Sequence, residues 1–290
     1  MFLQQLINGL TIGGIYALIA LGYTMVYGIL QIVNFAHGDI FMLGAFLGLY
    51  LTRAMELPFF IAFPLAAVMT AFIGIVVERV AYRPIRVADK LAVLISALGM
   101  SIFLQNLAML IWGTETHPFN SGVPIKTYTI GTLTLSNIQI GVIVFSCILM
   151  FILYFIVNQT KIGVAMRATS HNLNNARLMG INTDKIISFT FGIGSGLACV
   201  AGIFVGVYYD AVYPMMGYSA GLKAFAAAIL GGIGSIPGAM MGGFVIGLVE
   251  NLGAAYISSG YRDAFAFGIL IIVLICRPSG IMGKKRVEKV

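Results

Sequence analysis

The chain has 290 residues, 60% of them hydrophobic and 9% charged, with a formal net charge of +7 and a mean hydropathy of +0.99. Soluble domains carry roughly 25% charged residues, so this balance excludes a soluble globular protein and indicates an integral membrane protein. Uncharged runs of about 20 residues satisfy their backbone in lipid only as helices, and they lack the two-residue alternation of barrel strands. The expected fold class is all-α: a polytopic helical bundle of about eight to nine hydrophobic segments, some short or re-entrant, forming a single domain over residues 1–290.

In chain order, apolar segments are read at 3–29, 40–52, 59–77, 91–112, 138–157, 186–209, 219–231, 236–250 and 258–276. The opening MFLQQLINGL has no basic stretch before its apolar run and no small-residue cleavage site after it, so it is read as a retained helix. This first helix gives way to VNFAHGD (33–39) and then to a short apolar stretch. Asn34, His37 and Asp39 make the densest polar cluster near membrane depth, where ionisable side chains default to a functional hypothesis. Three readings stand: a capped turn at the cytoplasmic surface, with Asn34 or Asp39 on helix-end amides and Gly38 as a permissive backbone; lining of a pathway; or proton coupling.

Basic residues follow a side. Arg79, Arg83, Arg86 and Lys90 share one loop; Lys161, Arg167, Arg177 and Lys185 a second; Arg277, Lys284, Lys285, Arg286 and Lys289 the C-terminus. Only Arg53, Lys126 and Arg262 fall in loops of opposite parity. The positive-inside rule makes the first set cytoplasmic, which places the N-terminus in the periplasm and the C-terminus in the cytoplasm. The same rule accounts for the net charge without nucleic acid.

The insert 158–185, NQTKIGVAMRATSHNLNNARLMGINTDK, is polar, basic and far longer than a connection requires. Val164, Ala168, Ala176 and Met179 fall near one helical stripe over about four turns, Ala165 and Ala168 permit close approach, and Arg167 and Arg177 flank it. Gly180 is a natural C-cap, and Asn182 or Asp184 is placed to cap the next helix. The stretch reads either as an amphipathic linker resting on lipid headgroups or as a helix seated in a groove of a soluble partner. Its Asn158-Gln-Thr sequon lies on the wrong side for glycosylation.

Near the end, GGIGSIPG (231–238) joins two short apolar segments, and Gly231, Gly232, Gly234, Ser235 and Pro237 mark a turn expected at membrane depth. Breaks in both halves, with the first helix running inward and the helix at 186 outward, suggest an inverted repeat with a pathway near the midplane. Lys223 and Glu250 are read as interfacial, Lys223 snorkelling, and Glu78 as the mark of a helix end. Glycines four apart (9/13, 44/48, 192/196, 202/206, 238/242, 243/247) are read as helix-packing faces. Cys147, Cys199 and Cys276 are read as packed thiols without redox or metal spacing. GIGSG at 192–196 lies inside an apolar run with no preceding strand, and no Walker, zinc or catalytic-triad pattern stands out, so no cofactor, metal or catalytic residue is expected.

YALIALGYTMVYGI (16–29), NFAHGD (34–39), ERVAYRPIR (78–86), LISALGMSIFLQN (94–106), LMGINTDKII (178–187) and LKAFAAAILGGIGSIPGAMMGG (222–243), with the terminal VEKV, resemble the permease subunits of bacterial branched-chain amino-acid ABC importers. The resemblance extends over nearly the whole chain and is weakest at 113–137. It implies an inner-membrane permease that hydrolyses no ATP itself. Its partners would be a second, LivM-like permease, two cytoplasmic LivG- and LivF-like ATPases and a periplasmic protein delivering leucine, isoleucine or valine. The insert would be the coupling helix seated on an ATPase, and the NFAHGD break with the GGIGSIPG turn would belong to the translocation core. A permease for urea or another small solute, a proton-coupled secondary transporter and a channel are the alternatives.

Overall fold

The computed structural model describes residues 1–86, 88–131 and 133–283. The basic residues Lys284, Lys285, Arg286 and Lys289 and the terminal VEKV lie outside them. Eleven α-helices are present among the described residues: α1 (Phe2–Leu30), α2 (His37–Arg53), α3 (Phe59–Val77), α4 (Lys90–Trp112), α5 (Asn137–Gln159), α6 (Lys161–His171), α7 (Leu173–Leu178), α8 (Thr183–Tyr209), α9 (Met216–Gly231), α10 (Ile236–Tyr256) and α11 (Arg262–Cys276). A π-turn, Glu78–Tyr82, prolongs α3, and an antiparallel hairpin of β1 (Thr127–Ile130) and β2 (Leu133–Ser136) precedes α5. Seven helical stretches among the described residues are long and apolar enough to cross a membrane. At 17 and 16 residues, α2 and α9 are not.

Burial separates core from rim. α1 and α8 are enclosed over most of their length, whereas α3, α4, α5 and α11 leave most of their surface uncovered, as lipid or a partner would require. Glycine allows the close approaches in between. A side chain on Gly9 or Gly13 of α1 would meet the backbone of Leu248 or Phe244 on α10, so the two helices run antiparallel in near-backbone contact. α3 and α8 repeat the arrangement, with Phe63 stacked on Phe204 at 5.7 Å and Gly74 against Ser195. The expected packing role of the glycine faces is met on these helices. Of the cysteines only Cys199 is packed; Cys147 and Cys276 lie on outer helix faces.

The inverted repeat is visible in the contacts. α1 packs along α10 as α8 packs along α3, and α2 rests on α8 as α9 rests on α1. Both α1 and α8 end in a left-handed residue, Gln31 (φ 56°) and Asp210 (φ 49°). These caps stand 179 positions apart, as do Gly38 and Gly217 (210 − 31 and 217 − 38). After each cap an irregular segment, 31–36 or 210–215, turns back into the bundle and starts a short helix there. The N-termini of α2 and α9 meet at Gly38 and Gly217, where a side chain on either would collide with the other's carbonyl. Each meeting point lies about 20 Å from the far end of its helix at 1.5 Å per residue, close to mid-membrane. The partner of the NFAHGD break is therefore the stretch after Asp210, not the GGIGSIPG turn.

Two ends of the bundle are distinct. At one, Gln4 brackets Thr134 of the hairpin with two hydrogen bonds of 2.9 Å, and His117 bridges to Val212. At the other lie α6, α7, the loop after α3 and the GGIGSIPG turn.

Candidate functional site

At the centre, Asn34, His37 and Asp39 are 1–2% exposed. The surface-cap reading fails: the N-cap position of α2 is Ala36, and no side chain caps it. Instead the Tyr82 hydroxyl donates to Asn34 Oδ1 (2.5 Å) and Gln105 Nε2 to Asp39 Oδ1 (2.9 Å), which ties the break to α3 and α4. The His37 ring stands edge-on to Tyr23 at 4.8 Å and fills the space left by Gly22. Asn34 Nδ2 and His37 Nε2 lack a close hydrogen-bond partner among the described residues, although the Ile19 backbone stands near the His37 ring. Gly38 serves approach rather than a turn, since its neighbour is Gly217.

The GGIGSIPG turn is not at membrane depth. α10 has 21 residues, a full span of about 31 Å, and starts where Ser235 Oγ accepts from the Gly238 amide, with Pro237 in the first turn. Gly232 (φ 103°) and Gly234 (φ 93°) adopt a backbone that only glycine holds easily. Residues 281 and 282 close over it, with the amides of Ile281 and Met282 donating to the carbonyls of Leu230 and Gly231 at 2.9 Å. Gly234 shares a small cavity of about 100 Å³ with Gly28, Met166, Arg167 and Ser170, so the turn abuts α6. Gly231, Gly232, Gly234, Ser235 and Pro237 thus sit beside the insert, away from the central crossing.

The insert is two helices rather than one four-turn helix. Thr160 caps α6 by accepting from the Gly163 amide, and Asn172 ends it and caps α7 by accepting from Asn174 and Asn175. The expected stripe is therefore broken: Ala176 is buried, Ala165 and Ala168 are half-buried, and Val164 is exposed. Gly180 takes the left-handed conformation expected past a helix end (φ 81°), and Asn182 caps α8. The arginines hold the segment in place. Arg167 donates to the Val157 carbonyl, and Arg177 reaches Thr183 Oγ1 (2.9 Å) and Asp184 (3.5 Å). Asp184 does not cap; it gathers Arg83 (2.7 Å), Arg86 and Arg177, binding α7 and α8 to the loop after α3. Beneath this clamp, buried Glu78 accepts from Ser188 Oγ at 2.7 Å; it stands at the C-cap of α3, the helix end expected of it, and opens the π-turn. What the sequence reading missed is Leu178, 85% exposed beside Met179 at 82%, a bare apolar tip on the basic end.

Near the hairpin end, Lys223 and Glu250 are buried, 6% and 1% exposed, rather than interfacial. Lys223 Nζ lies 2.9 Å from Glu250 Oε1 and 2.7 Å from Asp263 Oδ1, and Arg262 Nε lies 3.5 Å from the same Glu250 oxygen. A cavity of about 430 Å³ opens against the group. Among the described residues no cluster of His, Cys, Asp or Glu is arranged to hold a metal.

Residues 5–274 match the family described as branched-chain amino acid transport system / permease component. The sequence is 44% identical to the high-affinity branched-chain amino acid transport system permease protein BraD of Pseudomonas aeruginosa, covering 100% of this chain and 98% of that one. It is 42% identical to the corresponding LivH of Escherichia coli, with the same coverage. Among solved structures, PsaBC from Streptococcus pneumoniae in complex with Fab has a TM-score of 0.51 at 14% identity, covering 96% of this chain and 93% of that one, a likeness of fold alone.

Proposed function

Because the chain belongs to the family of branched-chain amino acid permease components, we propose that it forms one half of an import pathway for leucine, isoleucine and valine. It is a multi-pass inner-membrane permease subunit of an ATP-binding-cassette importer, a transport subunit rather than an enzyme. Full-length identity of 42–44% to permeases of this one transport class carries the reading. In the proposed assembly a LivM-like permease supplies the other half, LivG- and LivF-like ATPases bind below, and a periplasmic protein delivers the amino acid. The basic end, with α6 and α7, faces the cytoplasm, and the N-terminus and hairpin face the periplasm.

Coupling runs through the insert. The exposed pair Leu178 and Met179, with Val164 on α6, supports docking in an ATPase cleft, since an apolar tip among charges is costly in water. Movement of the tip would pass through the Asp184 clamp to α3 and α8, and through α6 to the Gly234 turn and the end of α1. Those helices carry the crossing of α2 and α9, whose opposed N-termini present positive dipole ends at mid-membrane, a setting that suits a passing carboxylate. Asn34, His37, Gly38 and Asp39 are in this reading the latch of that crossing.

The test is leucine uptake into proteoliposomes holding the chain with its partner permease, ATPases and binding protein. Uptake should require ATP and binding protein, and leucine but not urea should compete. Uptake by this chain alone, driven by a pH gradient or by concentration, would overturn the reading.

A further inference from the structure

The cavity at the hairpin end combines two features that the coupling mechanism does not use. Its walls are apolar where Ile15, Phe41 and Val205 face it, and charged where Lys223, Glu250 and Arg262 do. At about 430 Å³ it falls in the range of small-molecule sites, roughly 300–1,000 Å³. Glu250 is 1% exposed, and its Oε2 has no close hydrogen-bond partner among the described residues, with the Tyr16 hydroxyl standing near the carboxylate. A buried carboxylate oxygen is ordinarily satisfied, and an ion pair in an apolar bundle is seldom retained for stability alone.

The charges also balance in a suggestive way. Lys223 and Arg262 face Glu250 and Asp263, so the cluster is neutral, and Lys223 holds both carboxylates at once. If Glu250 turns away, Lys223 keeps Asp263, which is 67% exposed and free to follow it. A ligand that brings one positive and one negative group could thus enter without leaving a buried charge alone. A cation or an anion alone could not.

We propose that this cavity is a station inside the permease for the zwitterionic head group of an aliphatic amino acid. Glu250 takes the ammonium, Arg262 and Lys223 take the carboxylate, and Ile15, Phe41 and Val205 hold the branched side chain. The inference rests on the import reading above and adds a selective site of the permease's own to that of the binding protein.

The experiment uses the whole importer without its binding protein and measures retention of radiolabelled leucine in the nucleotide-free state. Unlabelled leucine should displace the label, while leucinamide, lacking the carboxylate, and 4-methylpentanoate, lacking the ammonium, should each compete about tenfold less well or worse. Glu250→Gln should abolish retention. So should Ala220→Phe, which fills the cavity and leaves every charge in place. The double variant Lys223→Met/Glu250→Leu removes the pair without orphaning a fully buried charge, since Arg262 and Asp263, which lose their partners, are 39% and 67% exposed; the complex should assemble and melt as the wild type does but transport at least tenfold more slowly. Wild-type transport by that variant would make the pair a staple between helices and overturn the station, as would equal competition by the two analogues. Absence of ATP-dependent leucine uptake by the wild-type importer would instead remove the import reading and the station with it.

Discussion

The two short helices, α2 and α9, share a backbone and differ in chemistry. Each follows a left-handed cap, turns back into the bundle and starts against the other's glycine. Yet α2 starts with His37 and Asp39, closed in by Tyr23 and Gln105, while α9 starts with Met216, Gly217 and Tyr218 and carries its one charge, Lys223, further along beside an open cavity. The symmetry belongs to the scaffold, where an inverted pair offers the same crossing to both faces of the membrane. On the proposed import reading, the asymmetry belongs to the cargo, which enters from one side only. A repeat can hold its geometry through glycine and leave its polar positions to diverge.

The shared part should be the most fragile. Gly38→Leu and Gly217→Leu each drive a side chain into a carbonyl that neither helix can move without uncrossing, a clash worth about 3 kcal/mol or more. Both variants should fail to accumulate as assembled complex in membranes, and to a similar degree. A Gly217 variant that assembled normally while the Gly38 variant did not would break the equivalence of the two crossings.

The charged positions should separate the helices next. Lys223→Met leaves buried Glu250 without its cation at 2.9 Å, with Arg262 at 3.5 Å and the Tyr16 hydroxyl beside it, and truncating one partner of a buried pair costs about 3–5 kcal/mol. A marked fall in the melting temperature of the purified complex is expected, and adding Glu250→Leu should restore it. If Lys223→Met melted like the wild type, the pair would be no part of the second half's structure.

A smaller loss is expected at the basic end, outside both helices. Leu178→Asp touches no buried atom and should leave the permease folded, but an interface anchor of this kind is worth about 2 kcal/mol, some thirtyfold in ATPase affinity. Pull-down of the ATPases by the detergent-solubilised permease reads it directly. Retained affinity would send docking elsewhere on the cytoplasmic surface.

Much of this scaffold was legible because hydrocarbon thickness forces apolar runs of a set length, and those runs bound most of the long helices to within a few residues, while α10 runs on to Tyr256, six residues past its expected end. The break after α1 was legible from NFAHGD, but its counterpart was not: DAVYPM has the look of an outer loop, and nothing local says that it turns inward. The insert was misread as one helix because Val164, Ala168, Ala176 and Met179 fit a stripe. Asn172 with Asn174 and Asn175 competes for backbone amides and ends the helix there. Lys223 and Glu250 left a clearer signal, two lone opposite charges on consecutive apolar helices, which call for pairing before snorkelling. The three-way arginine clamp on Asp184 depends on the tertiary approach of a loop about 100 positions away, beyond any local pattern.

The smallest effect should come from the first half's own carboxylate. Asp39→Asn preserves the shape, and its side-chain oxygen can still accept from Gln105, so the change in stability should stay near 1 kcal/mol or below. If α2 is a neutral latch, leucine uptake by this variant should follow ATP as in the wild type, with the same rate whether or not a pH gradient is imposed. If Asp39 instead carries a proton across the crossing, the wild type should respond to the gradient and the variant should not. The comparison is sharpest against Glu250→Gln, an equally conservative change in the other half that is expected to abolish leucine retention and to slow transport at least tenfold. Equal effects of the two would mean that both halves handle the cargo with carboxylates, and the division between a closed latch and an open station would fall.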